Sequence, residues 1–188
     1  MTRYALLALA FLFAANSHGQ VVIGVTAQES GARDRILAVA KSTIGQTEKT
    51  GRNDGEFVDS VLATVGLEGT GAPWCATWNR FVYDQAGFRM VGPRSALASK
   101  WVSNPTWTLA KGGATPKPGD PFGLFFQSKN RVAHTGLVWV WGTKTVRTIE
   151  GNTSPDAAAG SAADRDGGGV YSKIRLIRQI HSVRNWLD

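Results

Sequence analysis

The stretch GAPWCATWNRFVYDQAG, Gly71 to Gly87, decides how this chain is read, because it holds the only cysteine and sets it at the start of a helix. Pro73 suits the first positions of a helix, where no N–H is needed, and Gly87 suits the left-handed residue that closes one. The spacing therefore predicts a helix over Trp74 to Ala86 with Cys75 near its N-terminus. Unpaired N–H groups and the positive end of the helix dipole lie there, and both favour a thiolate over a thiol. That is the setting a nucleophilic sulfur requires. The competing use of the same residue is packing, as a small apolar side chain on a helix face with Trp74, Trp78 and Val82.

Toward the N-terminus, Arg3 precedes the apolar run Tyr4 to Ala15, and Ser17-His18-Gly19 offers the small residues of a cleavage site. Residues 1–19 read as a secretory signal peptide. The run falls short of the roughly 20 apolar residues that span a bilayer, and no later stretch is long enough. Residues 20–30 read as an N-terminal arm, with Gln20 to Glu29 partly disordered, and 31–188 as one domain. Ser30 is a helix cap, and apolar residues recur at helical spacing from Ala32 to Ile44, where Gly45 ends the run. A second start signal pairs Asn53 as cap with Glu56, ahead of Phe57, Val58, Val61, Leu62 and Val65, and Gly66 stops it. The TGRNDG loop either presents Asn53 or Asp54 to a substrate groove or uses Asn53 only as that cap.

Toward the C-terminus, Ser95 to Trp101 is a short helix, followed by the tryptophan-bearing loop Val102 to Gly113. Trp74 beside the cysteine, Trp101 and Trp107 are the aromatic groups available to line a saccharide or peptide groove, or else to fill the core. At TPKPGD the character turns from helical to extended. Strands are predicted over Phe122 to Gln127, Arg131 to Trp141 and Thr143 to Ile149, with closing strands in Val170 to Ile177 and Ile180 to Trp186. The glycine-rich Pro155 to Gly169 reads as a flexible loop. Helices first and an antiparallel sheet afterwards define an α+β domain.

A net charge of +7 and a pI near 9.9 favour an anionic partner. For an exported monomer without an arginine-rich run, that partner is an acidic cell-wall polymer or a membrane surface rather than nucleic acid, unless the charge serves only solubility. A single cysteine forms no internal disulfide, so in an oxidising compartment it is either buried or used. Thiol hydrolysis needs a base near the sulfur and a third group to orient the base. His18 falls in the signal, and His181 stands among charged residues. His134, in RVAHTGLVWV, lies near the beginning of a strand with small neighbours. Glu150 and Asn152, in TIEGNTS just after the next strand, are the candidates to accept a hydrogen bond from its imidazole.

The order of PWCATW around Cys75, KPGD at Lys117 to Asp120, VAHTGLV around His134 and IEGN at Ile149 to Asn152 resembles the CHAP family, the cysteine, histidine-dependent amidohydrolases/peptidases of the NlpC-like and papain-like cell-wall hydrolases. The resemblance spans roughly Arg33 to Asn152. It implies a papain-like fold, with N-terminal helices packed on a C-terminal antiparallel sheet, and a secreted or periplasmic peptidoglycan hydrolase, an amidase or endopeptidase. Cys75 is then the nucleophile, His134 the general base, and Glu150, with Asn152 sharing or supporting, the group that orients His134. The KPGD aspartate reads as a turn residue. No acidic cluster has calcium-loop spacing, so neither a metal nor another cofactor is expected. The alternatives are a non-catalytic wall-binding module and a thiol hydrolase acting on a non-wall amide.

Overall fold

A computed structural model of the chain describes residues 20–157 and 160–188. The signal-peptide expectation therefore lies outside the described residues. Helices α1 (Gln20–Ser42), α2 (Glu56–Ala63), α3 (Cys75–Gln85) and α4 (Ala98–Trp101) precede the sheet. Its strands are β1 (Trp107–Thr108), β2 (Gly112–Gly113), β3 (Pro121–Phe126), β4 (Arg131–Trp141), β5 (Thr145–Thr153), β6 (Gly169–Leu176) and β7 (Ser182–Val183), with the one-turn helix α5 (Ala162–Arg165) between β5 and β6. The order across the sheet is β2-β1-β7-β3-β4-β5-β6, and every pairing is antiparallel. The α+β class predicted from the pattern is the one observed.

Large apolar side chains position the helices. Ile36 and Ala40 of α1, Val58, Val61 and Leu62 of α2, and Trp78, Val82 and Tyr83 of α3 are buried with Leu137 and Ile149 of the sheet. Each fully buried aliphatic side chain of this kind contributes about 1.5–3 kcal/mol. A second cluster, with Phe122, Leu124, Phe126, Val138, Val146 and Ile180, is built from the strands and the segment before β7. The KPGD turn joins the layers. Asp120 accepts from the Lys117 backbone N–H (2.8 Å) and from Arg33 of α1 (2.7 Å), and the Tyr83 hydroxyl of α3 donates to the Gly119 carbonyl (3.0 Å). Asp120 is thus a turn residue, and also the sheet's anchor for α1.

Several boundaries differ from the sequence reading. Helix α1 begins at Gln20, so the expected arm is helical and Ser30 caps nothing. Arg33 meets Glu29 one turn earlier at 2.8 Å, and Glu29 also holds Lys117 at 2.7 Å, which carries the helix across Gly31. Helix α2 starts after Gly55 with no side-chain cap. Asn53 is instead left-handed (φ 55°), and its side chain is recruited by residues distant in sequence. Strand β5 runs on to Thr153, so Glu150 and Asn152 lie within it rather than beyond it. The predicted flexible loop contains α5, capped by the Ser161 hydroxyl, which accepts from the Asp164 N–H.

Candidate active site

Cys75 is the first residue of α3, and three anchors fix that end of the helix. The Trp74 backbone N–H donates to Asn152 Oδ1 (3.0 Å), its indole N–H donates to Glu48 Oε1 (2.9 Å), and the Trp78 indole N–H donates to Thr43 Oγ1 (3.1 Å). Gly151 permits the approach: a Cβ there would sit 2.7–2.9 Å from Trp78 and Trp74 atoms. The helix end is therefore pressed directly onto β5.

His134 in β4 and Glu150 in β5 are wholly buried, and Cys75 keeps 4% exposure. His134 Nε2 lies 2.9 Å from Glu150 Oε2. Leu137 pairs with Ile149, so Gly136 falls beside Glu150, and a Cβ on Gly136 would stand 2.7 Å from Glu150 Cγ. Only glycine leaves room for the carboxylate to lie toward the imidazole. Nδ1 of His134 makes no hydrogen bond of good geometry among the described residues, yet Cys75 is close enough to act strongly on the ring. Catalytic hydrogen bonds are often long or poorly aligned in the absence of substrate. Burial alone would lower the imidazole pKa. The proximity of Cys75, the hydrogen bond to Glu150 and the charge of both outweigh it and raise His134 to about 9.

Burial would likewise raise the Glu150 pKa, but Arg175 beside it holds the carboxyl well below its usual range. Arg175 Nε donates to Oε1 (2.6 Å), an Arg175 terminal N–H donates to Oε2 (2.5 Å), and the Thr148 hydroxyl donates to Oε1 (2.5 Å). Arg175 also contacts Asp164 of α5, which Lys173 meets at 2.7 Å.

Glu150, not Asn152, therefore meets the imidazole. Asn152 is left-handed (φ 56°) and accepts from the Trp74 N–H; its amide donates to Asn53 Oδ1 (2.9 Å) and the Gly167 carbonyl (3.1 Å). It shapes the turn that presents Cys75. Asn53 closes the same turn by donating to the Gly71 carbonyl (3.1 Å), while Asp54 is tied to Thr50 within its own loop. Trp74 and Trp101 are fully buried, so both pack the core, and neither presents a face to a groove. Trp107 packs edge-on against Trp141.

Glu48, Thr148, Asp164 and Arg175 are absent from the sequence-derived set. A cleft of about 580 Å³ lined by Glu48, Gly55 and Phe57 opens beside the Trp74 anchor, and one of about 590 Å³ is lined by Leu124, Phe126, Arg175 and His181; neither includes Cys75. Among the described residues, no three His, Cys, Asp or Glu side chains are grouped to hold a metal ion, and no helix is long and apolar enough to cross a membrane. A cysteine at a helix start, a histidine close by and a carboxylate on one ring nitrogen are the components that a thiol nucleophile with an oriented base requires. Comparison of the chain with protein-family models, curated proteins and solved structures found no match.

Proposed function

We propose that the protein is a secreted or periplasmic cysteine-dependent peptidoglycan hydrolase of the CHAP type with a papain-like arrangement, cleaving an amide bond as an amidase or endopeptidase. The observation that carries this reading is the line Cys75, His134, Glu150, assembled from a helix start and two neighbouring strands. The Cys75 sulfur attacks the carbonyl carbon of the substrate amide. The tetrahedral oxyanion is met by the Cys75 N–H, which has no partner within its helix. The His134 imidazolium gives its proton to the nitrogen as the C–N bond breaks, so the amine leaves and a thioester remains. Water then attacks the thioester while His134 takes its proton, and the acid departs as the thiolate is restored. Glu150 holds the ring throughout.

The basic surface supports an acidic polymer as substrate: Lys41 (4.5 Å) and Arg147 (4.1 Å) both lie over the Trp139 ring, giving a cationic and aromatic cluster. Purified peptidoglycan incubated with the protein should yield fragments with new amino and carboxyl ends, identified by mass spectrometry. Cys75→Ala should abolish their release while leaving the circular dichroism spectrum unchanged. Equal cleavage by that variant would overturn the reading.

A further inference from the structure

Arg175 is 3% exposed and lies between two buried carboxylates. Its guanidinium grips both oxygens of Glu150 (2.6 and 2.5 Å) and both oxygens of Asp164 (2.7 and 3.0 Å). With Thr148 on Oε1, the Glu150 carboxylate has only Oε2 to share with His134, and its plane cannot turn without breaking the fork. Asp164 is braced in turn by Lys173 (2.7 Å) and the Gly160 N–H (3.0 Å). We infer that Arg175 is a positioning residue of the proposed hydrolase: by clamping Glu150 it fixes the acceptor that ties the imidazole, and so sets the protonation states available to the Cys75–His134 pair. The inference rests on the hydrolase reading and extends it beyond Cys75, His134 and Glu150.

A purely structural arginine would stabilise the corner without touching the chemistry, so the test must read the chemistry. Replacement by an apolar residue would leave two buried anions facing each other and say little. Arg175→Lys keeps the charge and loses the two-pronged grip. Cys75 is the only cysteine, so its alkylation by iodoacetamide reports one site at every pH. The parent should show an upper step that marks deprotonation of His134. In Arg175→Lys the upper step should move down by about half a pH unit or more as Glu150 loosens, and kcat on peptidoglycan should fall roughly tenfold to a hundredfold with KM within about twofold. Glu150→Gln, which removes the carboxylate charge itself, should displace the step at least as far, and adding Arg175→Lys to it should give no more. Asp164→Asn, which loosens Arg175 from its other side, should move the step the same way by less, and it serves if the lysine variant fails to fold. An upper step that stays in place in the folded variants would overturn the role of Arg175, whatever happens to Tm. A parent in which no such step appears would instead overturn the hydrolase reading itself.

Discussion

Between α3 and the sheet, Trp74, Trp78, Leu137 and Ile149 are buried by apolar contact; around the β5–β6–α5 corner, Glu150, Asp164 and Arg175 are buried just as fully by ion pairing. The two regions meet at the candidate site and contribute differently to it. Apolar packing adds stability in proportion to the area hidden and depends little on pH. Buried charge returns little net stability once its desolvation is counted, but it admits few geometries and punishes the loss of a partner. The first region brings the cysteine to the sheet, and the second decides how the histidine is held.

This contrast is broken most strongly from the apolar side. Trp78→Ala should cost about 3–5 kcal/mol, measured by urea unfolding, and lower stability by a similar amount at every pH. A loss that varied with pH would show that the indole also supports the charged cluster.

The charged corner should give a smaller effect, visible only as pH changes. Glu150 and Asp164 are held below their unfolded values, near 4.5 and 3.8, so their contribution is complete above those values and is lost as pH falls toward the folded ones. His134 is raised, so its contribution is complete below 6.5 and is lost as pH rises through about 9. Tm should therefore peak between about pH 4.5 and 6.5 and fall on both sides, and Glu150→Gln should flatten both limbs. A parent curve flat from pH 3 to 9 would contradict the ion pairing described for this corner.

The smallest effect belongs to Ile174, which stands 75% exposed in β6 although its neighbour Arg175 is buried. Ile174→Ser should change stability by no more than about 0.5 kcal/mol in the same denaturation assay. A larger loss would mean that the apolar face of β6 is covered in solution.

Strand β6 also shows where sequence reading reaches its limit. In YSKIRL, Ile174 and Leu176 alternate with Lys173 and Arg175, and the fold leaves the apolar pair exposed and turns the cationic groups inward, because Glu150 and Asp164 are already inside and need cations. Likewise, Asn53 followed by Glu56 has the form of a helix cap, but Asn152, nearly a hundred positions on, takes the Asn53 side chain first. Local pattern cannot weigh such distant competition. It does register Gly87 ending α3, the proline-glycine turn at Asp120, and the Val- and Trp-rich run that makes β4, since each depends on a residue's own backbone preference or on the period of its neighbours.

The sequence by itself determined the α+β order and the place of Cys75 at a helix start, and it singled out His134 with Glu150 or Asn152, because turn chemistry and apolar period are local properties. Only the tertiary structure decided between Glu150 and Asn152, packed Trp74 and Trp101 into the core, and brought Arg175 behind the carboxylate. Those outcomes depend on which buried polar groups find partners, and partners separated by many residues become neighbours only when the chain has folded.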